Sequence, residues 1–314
     1  MALDRRLARR LKLRDLYFLD TVVRHGSMGK AAVELAVSQP AISKAITDLE
    51  HLLGVRVLDR SRQGVEPTRY GIALLKWSTT AFDNLRQGVG EIDFLADPGS
   101  GEVRVGSTDV MLVGLVPAVI GRLSRQYPRM LFHIIQAPSI THQYRDLRER
   151  NVDLNLGRVV EPRPEEDLEI EVLFSEPLFV AAGLNNKWHG RKKIDPAELS
   201  NEPWVLPPYD SAIGSVLRQA FLTRGLEAPR ITVSSTSTVH YAALLATGRF
   251  LGLRAASTLR LSGKRLSEKA LSVDLQINPV KMGIVTLKHR TTSPAVQRFI
   301  ECAREIARPF AEAN

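Results

Sequence analysis

Ser38, Gln39, Pro40, Ser43, Lys44 and Thr47 are the residues whose types and spacing point most directly to chemistry. Read as a helix, positions 39, 43, 44 and 47 share one face, because residues three and four apart lie above one another. Glutamine pairs bidentately with an adenine edge, lysine reaches guanine or a phosphate, and small hydroxyls contact either, so such a face suits the major groove of duplex DNA. Ser38 supplies an N-cap, and the unpaired N–H groups of a helix start attract a phosphate. A second set of hydroxyls, on Ser107, Thr108, Ser139, Thr141, Ser211 and Thr238, stands where strand-like runs give way to helical periodicity. With the helix starts behind them, these groups can hold a carboxylate or another anion, although each is equally a plain helix cap. Arg158 and Arg254, near later strand ends, either neutralise an acid or bridge to acids on the surface.

The first set needs two short helices joined by a tight turn. In residues 26–54, GSMGKAAVELAVSQPAISKAITDLEHLLG, Ser27 can cap a helix carrying Ala31, Ala32 and Leu35, and Ser38 one carrying Ile42, Ile46, Leu49 and Leu53. Those apolar positions give each helix one buried stripe. Pro40 falls in the first turn, where a missing N–H costs nothing, and Gly54 can close the far end. Ser27 and Lys30, at the start of the first helix, join the candidate DNA contacts. A helix over 14–25 offers Leu16, Leu19 and Val23 to a three-helix core. Residues 55–68, VRVLDRSRQGVEPT, read as a hairpin wing with Arg60 and Arg62 at a basic tip. Taken alone, the helix pair also fits an ordinary helical hairpin.

Residues 13–71 resemble the winged helix-turn-helix of the LysR-type transcriptional regulators. The resemblance is carried by Gly26-Ser27, Ala31-Ala32, the run Ser38-Gln39-Pro40-Ala41-Ile42-Ser43, Leu49-Glu50, Leu53-Gly54, and Thr68 followed by Gly71. Met28-Gly29, Lys44 and Leu58-Asp59 depart from the residues usual in the family, which bears on base preference rather than on fold.

Over 69–96 the pattern becomes one long helix without proline. Leu75, Ser78, Phe82, Leu85, Val89, Ile92 and Ala96 alternate in steps of three and four, the seam of a coiled coil, and make Leu75, Phe82, Leu85, Val89 and Ile92 candidate dimerisation residues. Packing against its own chain is the alternative. The turn-rich stretch 97–101, DPGSG, then breaks the helix. Strand runs at 102–106, 131–136 and 153–156 alternate with helices over 110–127 and 140–150, predicting a mostly parallel α/β unit. A second unit begins near 172, with strands at 178–181, 231–234 and 251–254 and helices over 213–223 and 238–246. After 273–276 the chain returns to the first unit with a strand at 281–287 and a helix over 294–311.

The expected architecture is therefore an N-terminal all-α winged helix-turn-helix (1–68), a long linker and dimerisation helix (69–97), and a C-terminal α/β effector domain (98–314). Lobe I takes about 102–171 and 274–314, and lobe II about 172–273. Ligands belong at the carboxyl ends of such strands. This part resembles the effector-binding domain of the same family, itself similar to the periplasmic-binding-protein fold. The resemblance implies a cleft between two lobes, contact of the Ser107 position with the effector, and assembly as a tetramer of two dimers.

Composition agrees. The chain has 314 residues, 44% hydrophobic and 25% charged, with a net charge of +9 that favours anionic partners. Arg5, Arg6, Arg9, Arg10, Lys12 and Arg14 face only Asp4 at the front, a cluster that either reaches DNA phosphates or forms a solvated helical start. The start lacks the apolar core of a signal peptide, and no apolar run approaches the roughly 20 residues that span a bilayer, so a cytoplasmic location is expected. There is one cysteine, Cys302, best read as a core residue, and the seven histidines are scattered. No nucleophile elbow, phosphate loop or dinucleotide fingerprint occurs, so no catalytic residue, metal or cofactor is expected. The expectation is a homodimeric or homotetrameric DNA-binding regulator whose effector, such as a carboxylate or a sugar, changes DNA bending or promoter activity. The rivals are a non-specific architectural DNA-binding protein and a two-lobed small-molecule-binding protein.

Overall fold

The computed structural model describes residues 10–61, 64–137, 139–159 and 166–312. Arg5, Arg6, Arg9, Arg62 and the acidic pair Glu165-Glu166 fall wholly or partly outside them. The chain divides into two compact units, 1–86 and 87–314, which part inside the long helix.

In the first unit three helices, α1 (Leu13–His25), α2 (Met28–Glu34) and α3 (Gln39–Leu53), precede a hairpin of β1 (Leu58–Ser61) and β2 (Gly64–Pro67). Their core joins Leu19, Val22, Ala31, Ile42, Ile46 and Leu49, each less than a tenth exposed. Burying a side chain of that size contributes about 1.5–3 kcal/mol, so the stripe spacing seen in the sequence fixes the helix faces. Ser27 and Ser38 cap α2 and α3, accepting the N–H groups of Lys30 and Ala41 at 3.4 Å. Gly54 ends α3 at φ 69°. The wing is the β part of a domain otherwise helical.

The long helix α4 spans Arg69–Ala96, as the sequence predicts. Its seam is divided, however. Leu75 and Phe82 pack into the core of the three-helix head, with Leu74 beside them, and Phe82 meets Tyr17 edge-on at 6.0 Å. Both are thereby partly buried against the head. Leu85, Val89 and Ile92 stay exposed, and so do Trp77 and Leu95, which the heptad reading passed over.

The second unit holds two sheets. One has strand order β4-β3-β5-β12-β6, from β3 (Ser100–Ser107), β4 (Arg129–Gln136), β5 (Leu154–Arg158), β6 (Leu168–Glu176) and β12 (Val280–Leu287). The other has order β11-β7-β10-β8-β9, from β7 (Leu178–Gly183), β8 (Trp204–Leu206), β9 (Ile231–Ser234), β10 (Leu251–Ala255) and β11 (Glu268–Ala270). Helices α5 (Asp109–Val113), α6 (Leu115–Gln126), α7 (Ile140–Arg148) and α11 (Pro294–Ala311) belong with the first sheet, and α8 (Ala212–Leu222), α9 (Thr238–Ala246) and α10 (Ala256–Leu266) with the second.

Three expectations change. The sheets are mixed, because β12 runs antiparallel to β5 and β6, and β7 antiparallel to β10 and β11. The second lobe starts at β7, not near 172, since β6 pairs with β12 from Leu168 to Glu176. The single helix expected over 110–127 is two, α5 and α6, turning at Gly114. Pro117 has no N–H to give the Val113 carbonyl, and the Ser262 hydroxyl donates to that carbonyl instead, at 2.6 Å. Strands β8 and β11 and helix α10 went unread in the sequence.

Candidate functional site

The head presents α3 with Ile42, Ala45, Ile46 and Leu49 inward and Gln39, Pro40 and Lys44 exposed. Ser43 and Thr47 are half-buried on the same face, as is Ser27 at the start of α2, while Lys30 is exposed. The wing is tied to this helix. Glu50 accepts the N–H groups of Val57 at 2.8 Å and Leu58 at 3.2 Å, and Arg60 donates to the Ser43 hydroxyl at 3.3 Å. Thr47 donates to the Ser43 carbonyl at 2.8 Å, leaving its oxygen able to accept. Thr68 donates to Arg56 O at 2.7 Å and accepts the Gly71 N–H at 3.1 Å, which fixes the start of α4. Gly71 is there by necessity, because a Cβ would stand 2.1 Å from Val57 O. The outcome is one surface carrying amide, hydroxyl and ammonium groups beside the wing residue Arg60. Beside it, the Arg24 guanidinium and the His25 ring both contact Glu34, and the hydrogen bond from His25 leads in holding that carboxyl below its usual range.

In the second unit a cavity of about 550 Å³ lies at the strand ends between the two sheets. Its lining is largely aliphatic: Val110, Ile140, Leu178, Ile213, Leu253 and Met282. Of the sequence-predicted hydroxyls, Thr108, Ser139, Thr141 and Ser211 line it. Ser139 and Ser211 also cap α7 and α8, accepting the N–H groups of His142 at 3.3 Å and Gly214 at 3.1 Å. The Thr108 hydroxyl is buried with no hydrogen-bond partner.

Three expected effector residues lie elsewhere. Ser107 is 0% exposed, and its hydroxyl donates to Leu156 O at 2.7 Å, stitching β3 to β5 instead of facing the cavity. Thr238 turns its N–H to Asp109 at 3.3 Å, so this chain's own carboxylate occupies the start of α9 and links the lobes. Arg254 forms a buried two-bond pair with Glu268, at 2.6 and 2.7 Å, and stacks over Tyr241.

Two charged residues do reach the cavity, Arg158 at the end of β5 and Glu176 at the end of β6. Arg158 Nη1 is buried without a hydrogen-bond partner among the described residues, and burial presses the guanidinium pKa down. Glu176 accepts the Ser257 N–H at 2.9 Å and its hydroxyl besides, yet burial outweighs both bonds and lifts its carboxyl above the usual value. Glu176 carried no signal in the sequence, since a lone glutamate after an alternating run reads as surface. Among the described residues no group of histidine, cysteine and acid side chains could hold a metal ion, and no helix is long and apolar enough to cross a membrane.

A winged helix-turn-helix followed by a two-lobed ligand-binding unit defines a transcriptional regulator that carries its own sensor. The profile of the bacterial regulatory helix-turn-helix protein, lysR family, matches residues 13–72, and that of the LysR substrate binding domain matches 96–308. The chain belongs to the LysR family of DNA-binding transcriptional regulators with an effector-binding domain. It is 28% identical over 299 residues to the HTH-type transcriptional regulator GbpR of Azospirillum brasilense, covering 95% of this chain and 87% of that one. To the HTH-type transcriptional regulator PcaQ of Agrobacterium fabrum it is 30% identical over 240 residues, 76% of each chain. The fold matches full-length CbnR in complex with its target DNA, with TM-score 0.64, 20% identity, and 94% of this chain and 99% of that chain covered. It also matches a full-length OxyR variant of Pseudomonas aeruginosa, with TM-score 0.62, 20% identity and 95% of each chain covered.

Proposed function

We propose that this regulator reads its operator through Gln39, Ser43, Lys44 and Thr47 of α3, with Ser27, Lys30 and the wing arginine Arg60 on flanking phosphates, and that a small organic effector enters the cavity between the lobes. The observation that carries the reading is the outward face of α3, whose polar groups have capacity left for base edges while its apolar stripe is committed to the core. Two copies, joined along the exposed side of α4, would set two such helices in successive major grooves about one helical turn apart or a multiple of it. Effector binding favours one placement of the lobes, shifts the spacing of the heads and changes the bend of the promoter, which requires the ligand to prefer one state. An architectural DNA-binding protein leaves the cavity without a role, and a two-lobed small-molecule-binding protein leaves the polar face of α3 without one.

A quantitative footprint of the Gln39→Ala protein tests the assignment. One lost bidentate base contact lowers discrimination by about 1–3 kcal/mol, whereas binding to unrelated duplex changes little. An unchanged preference between operator and competitor DNA removes Gln39 from the reading surface.

A further inference from the structure

We propose that the effector is an amphipathic monocarboxylic acid, its one carboxylate paired with Arg158 and its apolar body held against Ile140, Leu178, Ile213 and Leu253. This rests on the reading of the cavity as the effector site and narrows it to one chemical class.

The charges of the cavity decide the class. A guanidinium stays protonated even where burial disfavours it, so Arg158 brings a positive charge to an aliphatic wall. Its Nη1 has no hydrogen-bond partner among the described residues. Arg158 as a whole is partly exposed, and a partly buried cation on an aliphatic wall gains from a counter-charge. Glu176, the other charged lining residue, does not compensate it. Both Glu176 oxygens take hydrogen bonds from Ser257 in the first turn of α10, where the helix dipole already favours a negative group. Strand β12 also separates the two, with Arg158 opposite Met282 and Val280 opposite Glu176. Two inter-strand spacings keep their backbones about 10 Å apart. Among the described residues no acid pairs with Arg158, and the ligand supplies its counter-charge.

Thr108 lines the same cavity from the end of the neighbouring strand. It follows β3, which pairs in parallel with β5 through Ser107 and Leu156, and its hydroxyl is buried and unpartnered like Arg158 Nη1. Gly157 makes room at this corner, since a Cβ there would stand 3.3 Å from Thr108 Cγ2 and 2.9 Å from Gln143 Nε2, another buried atom without a partner. The remaining wall rules out two other classes. A sugar would set several hydroxyls against Ile140, Ile213 and Leu253, where they lose water without gaining partners. Ser139 and Ser211 are already engaged as caps. A dianion would bring a second charge towards Glu176 with no second cation to meet it.

The test is thermal shift and calorimetric titration of the full chain with hexanoate, cyclohexanecarboxylate and 3-phenylpropanoate, the primary amide of each, and glucose and arabinose. At least one acid raises the Tm while its amide does not. Arg158→Gln weakens that acid about tenfold or more, the effect of losing a charge-assisted pair, and Arg158→Lys restores part of it. Equal binding of an acid and its amide, acid binding undiminished in Arg158→Gln, or no binding by any acid overturns the proposal. If a sugar binds and Ala255→Phe, which fills the cavity, abolishes it, the class is wrong while the cavity remains the effector site. An acid that binds equally well after Ala255→Phe overturns the cavity reading itself.

Discussion

The side-chain amide of Gln87, near the end of α4, donates to Asp153 at 3.4 Å, and its carbonyl oxygen accepts the Ser293 N–H at 2.9 Å. Asp153 stands directly before β5, whose far end carries Arg158. Arg104 and Arg290 hold the same carboxylate at 3.1 and 2.8 Å. One short strand thus has the cavity at one end and a clamp on the linker helix at the other. Gln87→Leu keeps the volume and removes both bonds. It is expected to cost about 1–3 kcal/mol, the penalty for leaving buried polar groups unpaired, and to uncouple the sensor from the head. Ligand titration would give wild-type affinity for the second unit, while the ligand-dependent change in operator affinity shrinks. A full allosteric response in this variant would show that the signal does not pass through Gln87.

The same carboxylate sets a pH dependence. Burial pushes Asp153 up, but the charges and hydrogen bonds of Arg104 and Arg290 outweigh it and hold the group below the usual 3.8. Below 3.8 the unfolded chain binds a proton that the folded chain still refuses, so Asp153 contributes stability that is lost as pH falls from 3.8 through the depressed value. Denaturant unfolding at pH 5 and pH 3 is expected to show a smaller fall in stability for Asp153→Asn than for wild type, although the variant starts lower because the buried Arg290 and the partly buried Arg104 lose their counter-charge. Parallel pH profiles for the two proteins would remove Asp153 from this account.

Gly71 closes the head. Substituting alanine puts a Cβ 2.1 Å from the Val57 carbonyl oxygen, an atom of the backbone that also accepts the Thr68 N–H. The wing and the start of α4 have to separate, at a cost of about 1–3 kcal/mol for an overpacked site. Calorimetry of Gly71→Ala should show a lowered transition for the head and an unchanged one for the second unit. A head transition at the wild-type temperature contradicts the close approach.

The head and the long helix were legible because each rests on local signals. Serine caps, the apolar stripes of α2 and α3 and the closing Gly54 all act within a few residues, and α4 has no proline between Arg69 and Ala96. What escaped depends on partners far along the chain. Arg158 and Arg254 look alike in sequence, each at a strand end, and are told apart only by Glu268, which arrives on the three-residue strand β11. Ser107 and Thr108 are adjacent hydroxyls, and the pleat turns one to the Leu156 carbonyl and the other to the cavity. The edge of the first sheet was misplaced because β6 declares itself only by pairing with β12, more than a hundred residues later.

The seam of α4 was also only half legible, and its exposed half carries the last prediction. A heptad pattern reports that one side of a helix is apolar, not what covers it, and Leu75 and Phe82 are covered by the head. Between and beyond them, Trp77 at 70%, Ile92 at 65% and Leu95 at 74% exposure remain bare together with Leu85 and Val89. An apolar strip of that length on a charged protein marks an interface, and a second copy of the same helix offers the complementary face. Ile92→Asp places a charge in the middle of it without touching the core of either unit. Sedimentation should then give monomer mass where wild type gives a dimer or larger assembly, and operator binding should weaken because two heads no longer act together. A variant that sediments as wild type would mean that the copies meet through some other surface.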